Sequence, residues 1–375
     1  MAAFATPDAT RRYAGRFTAS SAAPDSRKAA PGYFREQQGL VFSSIGIGTY
    51  LGEPDPATDR AYTDAVVAAV EGGINVIDTA INYRFQRSER SIGAALKKLA
   101  AAGFSRDEII LCTKAGFLTP DGEMPDDPGG YFVREFVERA VFGQQDVAAG
   151  CHCIAPAYLA DQLERSRKNL GVETIDLFYL HNPETQLDEI SLHDFLPRIR
   201  AAFEFCESAV AGGKIRFYGL ATWNGFRVDP DAKGHLPAQE LVRIAREIAG
   251  EAHHLRFVQL PFNLAMTEAL VRPTQMLESR KVSMVQAVRP LGITLVASAP
   301  LLQGQLAHNL PPFVGAALGM KSDLERAIQF ARSAPGITTA LIGMSRSEHV
   351  RSNLALSSVE PASREQILKI FEQSR

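Results

Sequence analysis

The sequence predicts a single-domain α/β protein of the (β/α)8, or TIM, barrel class. Three observations point there: eight short β-branched runs from about residue 40 onward, helical periodicity between them, and polar residues at the ends of consecutive runs. A doubly wound open sheet shows the same alternation, so the strand-end residues must decide between the two.

Residues 1–38 read as an N-terminal extension. They are rich in Ala, Ser and Thr, carry Arg11, Arg12 and Arg16, and lack the apolar core of a secretory signal. A mobile arm is expected there, and its composition weakly resembles an organelle-transit segment. The barrel with a C-terminal helix then occupies residues 39–375. Strands are expected at 44–48, 74–78, 108–113, 175–180, 215–220, 257–260, 293–297 and 338–342. Between them, Ile92, Leu96 and Leu99 fall at i, i+4 and i+7, as do Ile199, Phe203 and Cys206, the spacing of one buried helix face. Gly72, Gly103, Gly171 and Gly212 stand where these helices should stop, because glycine accepts a left-handed cap without a Cβ clash.

One segment breaks the rhythm. Residues 116–156 form a long loop between strand 3 and its helix, and carry Tyr131, Phe132, Phe136 and Phe142. Two readings stand side by side: a wall of the substrate pocket, or a packed accessory loop. Residues 291–320 contain no Asp, Glu, Lys or Arg, yet prolines and amides interrupt them, which suits a buried strand and a loop better than a membrane span.

Composition narrows the function. The chain of 375 residues is 46% hydrophobic and 22% charged, the balance of a globular protein with material for a large core. Its 40 basic and 42 acidic residues give a net charge of -2 with no basic patch, so neither nucleic acid nor an anionic membrane is expected as partner. Four cysteines in a chain this long make no disulfide scaffold and suggest a reducing, cytoplasmic setting.

Four polar residues meet on one rim. Asp78 closes the second run, Tyr83 follows in its loop, Lys114 ends the third and His181 ends the fourth. Barrel active sites are built on that face from several strand ends. The residue types fit one reaction: an ammonium beside a tyrosine stabilises the phenolate, Asp78 holds the ammonium, and a histidine orients a carbonyl oxygen. No metal or nucleophile is needed, which leaves a hydride donor as the missing partner and a small carbonyl or alcohol as substrate.

Here the sequence resembles the aldo-keto reductase family, over nearly everything after residue 40. The motifs are IGIGTYLG (45–52), INVIDTAINYRFQRSERSIG (74–93), LCTKAG (111–116), DLFYLHNPE (176–184), GKIRFYGLATW (213–223) and LIGMSRSEHVRSNL (341–354). The resemblance implies an oxidoreductase that binds NADP(H) across the barrel mouth, with Tyr83 as proton donor, Lys114 and Asp78 as its tuning pair, and His181 beside the carbonyl. It also implies cofactor contacts from Thr49, Tyr50, Asp78, Thr222, Gln259, Ser345, Arg346 and Asn353. Gln259 matches the glutamine that meets the nicotinamide carboxamide, Ser345 and Arg346 the 2′-phosphate position, and Asn353 the adenine contact. A physical reason supports the phosphate assignment: a helix start favours an anion, and arginine adds a charge-assisted bond.

The chain departs from the family pattern at two places. Ala221 and Thr222 stand where many members have Ser-Asn, and Ser298 replaces an aromatic that stacks on the nicotinamide. Losing that ring removes on the order of 1 kcal/mol. Cys151, His152 and Cys153 lie too close together for a zinc site and lack a second pair, so they are expected to pack structurally, with no metal bound. The alternative function, kept open by the altered nicotinamide surroundings, is a nucleotide-binding regulatory subunit of the same fold with slow turnover.

Overall fold

The computed structural model describes residues 3–18 and 28–373. Eight parallel strands close into a barrel: β1 (Ile45–Gly48), β2 (Val76–Asp78), β3 (Ile110–Ala115), β4 (Ile175–His181), β5 (Ile215–Ala221), β6 (Leu255–Pro261), β7 (Thr294–Ser298) and β8 (Ile337–Gly343). Neighbours follow chain order, and β8 pairs with β1 to close the ring. Each expected strand lies within two residues of the observed one. This singly wound order excludes the doubly wound sheet.

Strand periodicity explains the layering. Successive side chains alternate between faces, so Val76, Ile110, Cys112, Leu177, Phe257 and Val296 point inward and form the barrel's interior cluster. The opposite faces, rich in Ile, Val and Leu, pack beneath helices such as Pro56–Glu71, Arg87–Ala101 and Pro156–Leu170 in one large core. Gly103 and Gly171 take the expected left-handed conformation, with φ 87° and 65°. At Gly72 and Gly212 the expectation is shifted by one residue: both keep negative φ, and the left-handed turn falls on Gly73 and Gly213. Each of these two helices ends on a pair of glycines, and the second does the turning.

The barrel floor is sealed by the N-terminal segment, which corrects the mobile arm expected over residues 1–38. Helix Pro7–Thr18 and the antiparallel hairpin Phe34–Gln37 with Leu40–Ser43 are packed structure. The parts of that arm at 1–2 and 19–27 lie outside the described residues. Leu40 and Phe42 enter the interior cluster, and the Phe42 ring lies 5.9 Å from that of Phe257. Tyr13 is fully buried, donates to the Val70 carbonyl at 2.5 Å and meets Phe17, Phe34 and Phe104. Asp176 ties the floor together by accepting from the Ala5 and Leu111 amides at 2.6 and 2.8 Å and from Arg106 at 2.8 Å. The pattern was present in the sequence, since Ala9, Tyr13 and Phe17 lie at i, i+4 and i+8. The surrounding Ala, Ser and Thr masked it.

Two other expectations resolve here. In the long loop, Phe136 and Phe142 stack 5.4 Å apart, Phe132 stacks on Phe136, and Tyr158 meets them edge-on, forming a separate aromatic core. The loop's rings are thus mostly packing. In the region after β7, the stretch read as loop contains a short helix, Pro312–Leu318. Among the described residues no helix is long and apolar enough to cross a membrane.

A docked N-terminal helix has an energetic signature. Tyr13→Ala is expected to lower the unfolding free energy by about 3 to 5 kcal/mol, measured by urea denaturation. A loose arm predicts no change.

Candidate active site

The site is the last interior layer of the barrel. Because strand side chains repeat every two residues, Asp78 follows inward-facing Val76, Lys114 follows Cys112, His181 follows Tyr179, and Gln259 follows Phe257. Each functional group is one step beyond an apolar core residue on its own strand. The four therefore converge at the C-terminal mouth.

Lys114 is the hub. Its buried ammonium lies 2.5 Å from Asp78 Oδ2, 2.8 Å from the Thr79 carbonyl and 3.4 Å from the Tyr83 hydroxyl, so it donates in three directions. Asp78 is satisfied at its other oxygen by Gln259 Nε2 at 2.8 Å. Burial pulls the Lys114 pKa down, but Asp78 and Tyr83 outweigh it and hold the group above its ordinary value. Burial also pushes Asp78 up, against Lys114 and Gln259. For Tyr83, burial raises the phenol pKa and Lys114 recovers only part of the rise. The expected lowering by the ammonium is present, and desolvation exceeds it.

Tyr83 is aimed by an unusual turn. Arg84, Phe85 and Gln86 follow it with φ of 50°, 54° and 70°, three consecutive left-handed residues. Such a conformation costs roughly 1 to 2 kcal/mol per residue, and the surroundings hold it. The buried Arg84 guanidinium pairs with Asp59 and donates to the Glu53 carbonyl at 3.2 Å. Gln86 donates to the Pro120 carbonyl at 3.1 Å and accepts from Asn169 at 3.0 Å. The Tyr83 ring rests edge-on against Tyr50, 5.0 Å away, and against His181, 5.8 Å away.

His181 is neutral, its pKa held well below the usual range by burial, with Lys114 and His152 adding to the effect. Its Nδ1 is 3.2 Å from Asn82 Oδ1. With that oxygen facing it, Nδ1 carries the proton and Nε2 is an acceptor; a half-turn of the Asn82 carboxamide exchanges the two. Asn82 therefore selects what His181 can do. It sits beside Tyr83 in the quoted motif, and its chain position was the one available signal.

The remaining candidates surround the mouth. Thr49 donates to the Asp78 carbonyl at 3.3 Å, and Tyr50 is exposed. Thr222 is buried just past β5, its amide bonded to the Gln259 carbonyl at 2.9 Å while its hydroxyl lacks a partner among the described residues. Gln259 directs its amide nitrogen to Asp78 with one N–H, which leaves its oxygen as an acceptor available to a ligand. Ser298 ends β7 half-buried, and Ala221 is buried, accepting from the Asn182 amide at 2.6 Å. Beyond β8, Ser345 is half-buried, and Arg346 is exposed, its carbonyl accepting from the Val350 amide at 3.2 Å while its guanidinium has no hydrogen bond or ion pair among the described residues. Asn353 is buried at the end of helix Ser347–Asn353. An orphaned buried hydroxyl at the mouth and a free guanidinium at its edge suit a polar, anionic cofactor lying between them.

Sequence reasoning passed over Glu184. Its Oε1 accepts from the amides of Trp223, Asn224 and Gly225 at 2.6, 3.0 and 3.3 Å, which fixes the loop after β5 and the exposed Trp223 ring at the mouth. Glu184 closes the DLFYLHNPE motif, and that position was the one available signal. Cys151, His152 and Cys153 do not converge: Cys153 enters the aromatic core, Cys151 is exposed, and both His152 ring nitrogens are hydrogen-bonded.

Comparison with known proteins agrees with the fold. The model of the Aldo/keto reductase family matches residues 44–310. The oxidoreductase YqkF of Bacillus subtilis is 24% identical over 314 residues, covering 80% of this chain and 83% of that protein. A D-threo-aldose 1-dehydrogenase of Pseudomonas sp. is 30% identical over 192 residues, so that match takes in about half of each chain, 49% and 51%. A solved aldo/keto reductase from Klebsiella pneumoniae, in complex with NADP and acetate, superposes with a TM-score of 0.59 at 18% identity, over 92% of this chain and 95% of that one.

The ion pair makes a stability prediction. Lys114→Met should destabilise the fold by about 3 to 5 kcal/mol by stranding Asp78. Asp78→Leu combined with Lys114→Met should recover most of that loss. Equal destabilisation in single and double variants, by guanidinium denaturation, contradicts a mutually dependent pair.

Proposed function

The chain belongs to the aldo/keto reductase family, and from that membership we propose that it is an NADP(H)-dependent reductase of an aldehyde or ketone, with Tyr83 as general acid. The observation that carries the reading is Lys114 Nζ, 2.5 Å from the Asp78 carboxylate and 3.4 Å from the Tyr83 hydroxyl, at the barrel mouth.

The nucleotide, when bound, supplies the hydride. The rest is the work of the chain. Tyr83 gives its phenolic proton to the carbonyl oxygen as negative charge develops there. Lys114 stabilises the phenolate left behind, and Asp78 keeps the lysine charged and in place. Neutral His181 orients the carbonyl from Nε2 once Asn82 turns its amide nitrogen toward Nδ1. The Thr222 hydroxyl and the Gln259 oxygen would receive the carboxamide, and Thr49 and Tyr50 would contribute at the same end of the nucleotide. Ser345 and Arg346 would hold the 2′-phosphate, and Asn353 would contact the adenine. Exposed Tyr50 and Trp223 offer the substrate an aromatic entrance. The small Ser298 would leave the nicotinamide less tightly bounded than an aromatic, and Ala221 would offer it no side-chain hydrogen bond.

Tyr83→Phe should lower kcat by about 10²- to 10⁴-fold while leaving NADPH binding, followed by fluorescence, unchanged. Retention of full activity in this variant sinks the assignment. A regulatory subunit instead predicts equal selectivity for nucleotide and turnover that is indifferent to Tyr83.

Burial gives the reaction a pH signature. Because the Tyr83 pKa lies above its ordinary value, the acid form persists at neutrality, and the reduction rate should stay flat from about pH 6 to about pH 8 before falling on the alkaline side. Lys114 lowers that pKa, so Lys114→Met should move the alkaline limb to higher pH as well as slowing the reaction. A limb that moves to lower pH contradicts the role given to Lys114.

Arg346→Ala should weaken NADPH binding roughly tenfold and leave NADH binding unaffected. Equal loss for both nucleotides removes the 2′-phosphate role.

A further inference from the structure

The backbone at His181 is fixed from two sides. β4 ends at His181, and the next residue, Asn182, is left-handed with φ 46° and ψ 56°. The peptide between them is therefore the last element that sets the direction of the His181 side chain. Its N–H is held by the Ala221 carbonyl at 2.6 Å, from β5. Its carbonyl is held by the His152 Nε2 at 2.7 Å, from the inserted loop.

The hydrogen bonds determine the His152 tautomer. Gln186 Nε2 lies 2.9 Å from His152 Nδ1 and 3.1 Å from the His152 carbonyl, while Gln186 Oε1 accepts from Arg198 at 2.7 Å. A carbonyl acceptor and a guanidinium donor permit only one orientation of the Gln186 amide. Nδ1 must then accept, so Nε2 carries the proton and donates to His181. Burial pushes the His152 pKa down to about 4, against the His181 carbonyl, and keeps the ring neutral.

The loop is shaped to deliver this contact. The strand pair Val147–Ala148 and His152–Cys153 is anchored to the end of β3: the Cys153 amide donates to the Gly116 carbonyl and the Leu118 amide to the Cys151 carbonyl, both at 2.7 Å. A Cβ on Gly116 would stand 2.6 Å from the His181 carbonyl and 2.7 Å from His152 Nε2, so only glycine leaves room for the bond. Phe117 completes the wedge, its ring edge-on to both His152 and His181 at 5.1 Å.

We propose that His152 is a positioning residue for the reaction, pinning the His181 peptide so that the His181 ring faces the substrate carbonyl, and that the 116–156 insertion is thereby part of the active site. This rests on the carbonyl-reductase reading. Misplacing a reacting group by about an ångström can cost on the order of a hundredfold in rate.

The test compares His152→Leu with His152→Gln, whose amide nitrogen reaches the same carbonyl. His152→Leu should lower kcat roughly tenfold or more, with KM and NADPH affinity within about twofold of wild type, and His152→Gln should restore most of the loss. Wild-type kcat in folded His152→Leu, or a Gln variant no better than Leu, overturns the proposal. Should His152→Leu fail to fold, Gln186→Leu replaces it: lowered kcat at unchanged KM supports the proposal, and wild-type kcat overturns it. Long-range proton–nitrogen NMR of the wild-type chain gives a readout independent of turnover. It should show His152 protonated at Nε2, and a proton on Nδ1 overturns the proposal even if no carbonyl compound proves to be a substrate. A correct tautomer, a His181 ring signal displaced in a His152 variant and no turnover would uphold the pinning and reject the reductase reading instead.

Discussion

The contact between Lys114 and Asp78 is the constraint around which the mouth of the barrel is organised. Two opposite charges are taken out of water there, which is seldom the most stable choice for a core. The fold tolerates them because both carboxylate oxygens and all three ammonium directions are occupied, through Gln259, Thr79 and Tyr83. Removing any one neighbour leaves a buried donor or acceptor without a partner. The strands β2, β3 and β6 are thus coupled electrostatically in the same layer where hydrophobic packing, which holds the layers below, gives out.

That layer can be polar because the opposite end of the barrel is closed. Leu40 and Phe42 complete the interior cluster from below, and Asp176, Asn75 and Tyr13 satisfy the backbone groups of the floor. Stability is gathered at the N-terminal face and chemistry at the C-terminal one. The strain at the mouth follows the same division. Three left-handed residues after Tyr83 persist because Arg84 and Gln86 are tied into neighbouring loops, so rigidity at the site derives from bonds several residues away from the reacting atoms.

The legible part of this protein was its periodic part. Strand period placed Asp78, Lys114, His181 and Gln259 on one rim, because a one-residue error would have turned every one of them outward. The parts that were not legible depend on contacts between segments far apart in sequence. Helix Pro7–Thr18 was hidden by a composition that resembles a disordered arm, although its apolar spacing was intact. His152 was visible only as a possible metal ligand flanked by cysteines, since nothing local reveals a partner 29 residues away. Glu184 and Asn82 are ordinary residues whose roles arise from where the Trp223 loop and the His181 ring arrive.

The opposing effects on Tyr83 set its resting protonation state. Burial favours the neutral phenol, and the Lys114 ammonium favours the phenolate. Because burial dominates, the residue rests as the neutral phenol, the form that the proposed general acid requires. In the proposed reaction Lys114 would act chiefly after the proton has left, when the phenolate is fully formed and the interaction is strongest. A charge held 3.4 Å away, close enough to stabilise the product of proton transfer yet outweighed beforehand, would favour the transition state over the resting state.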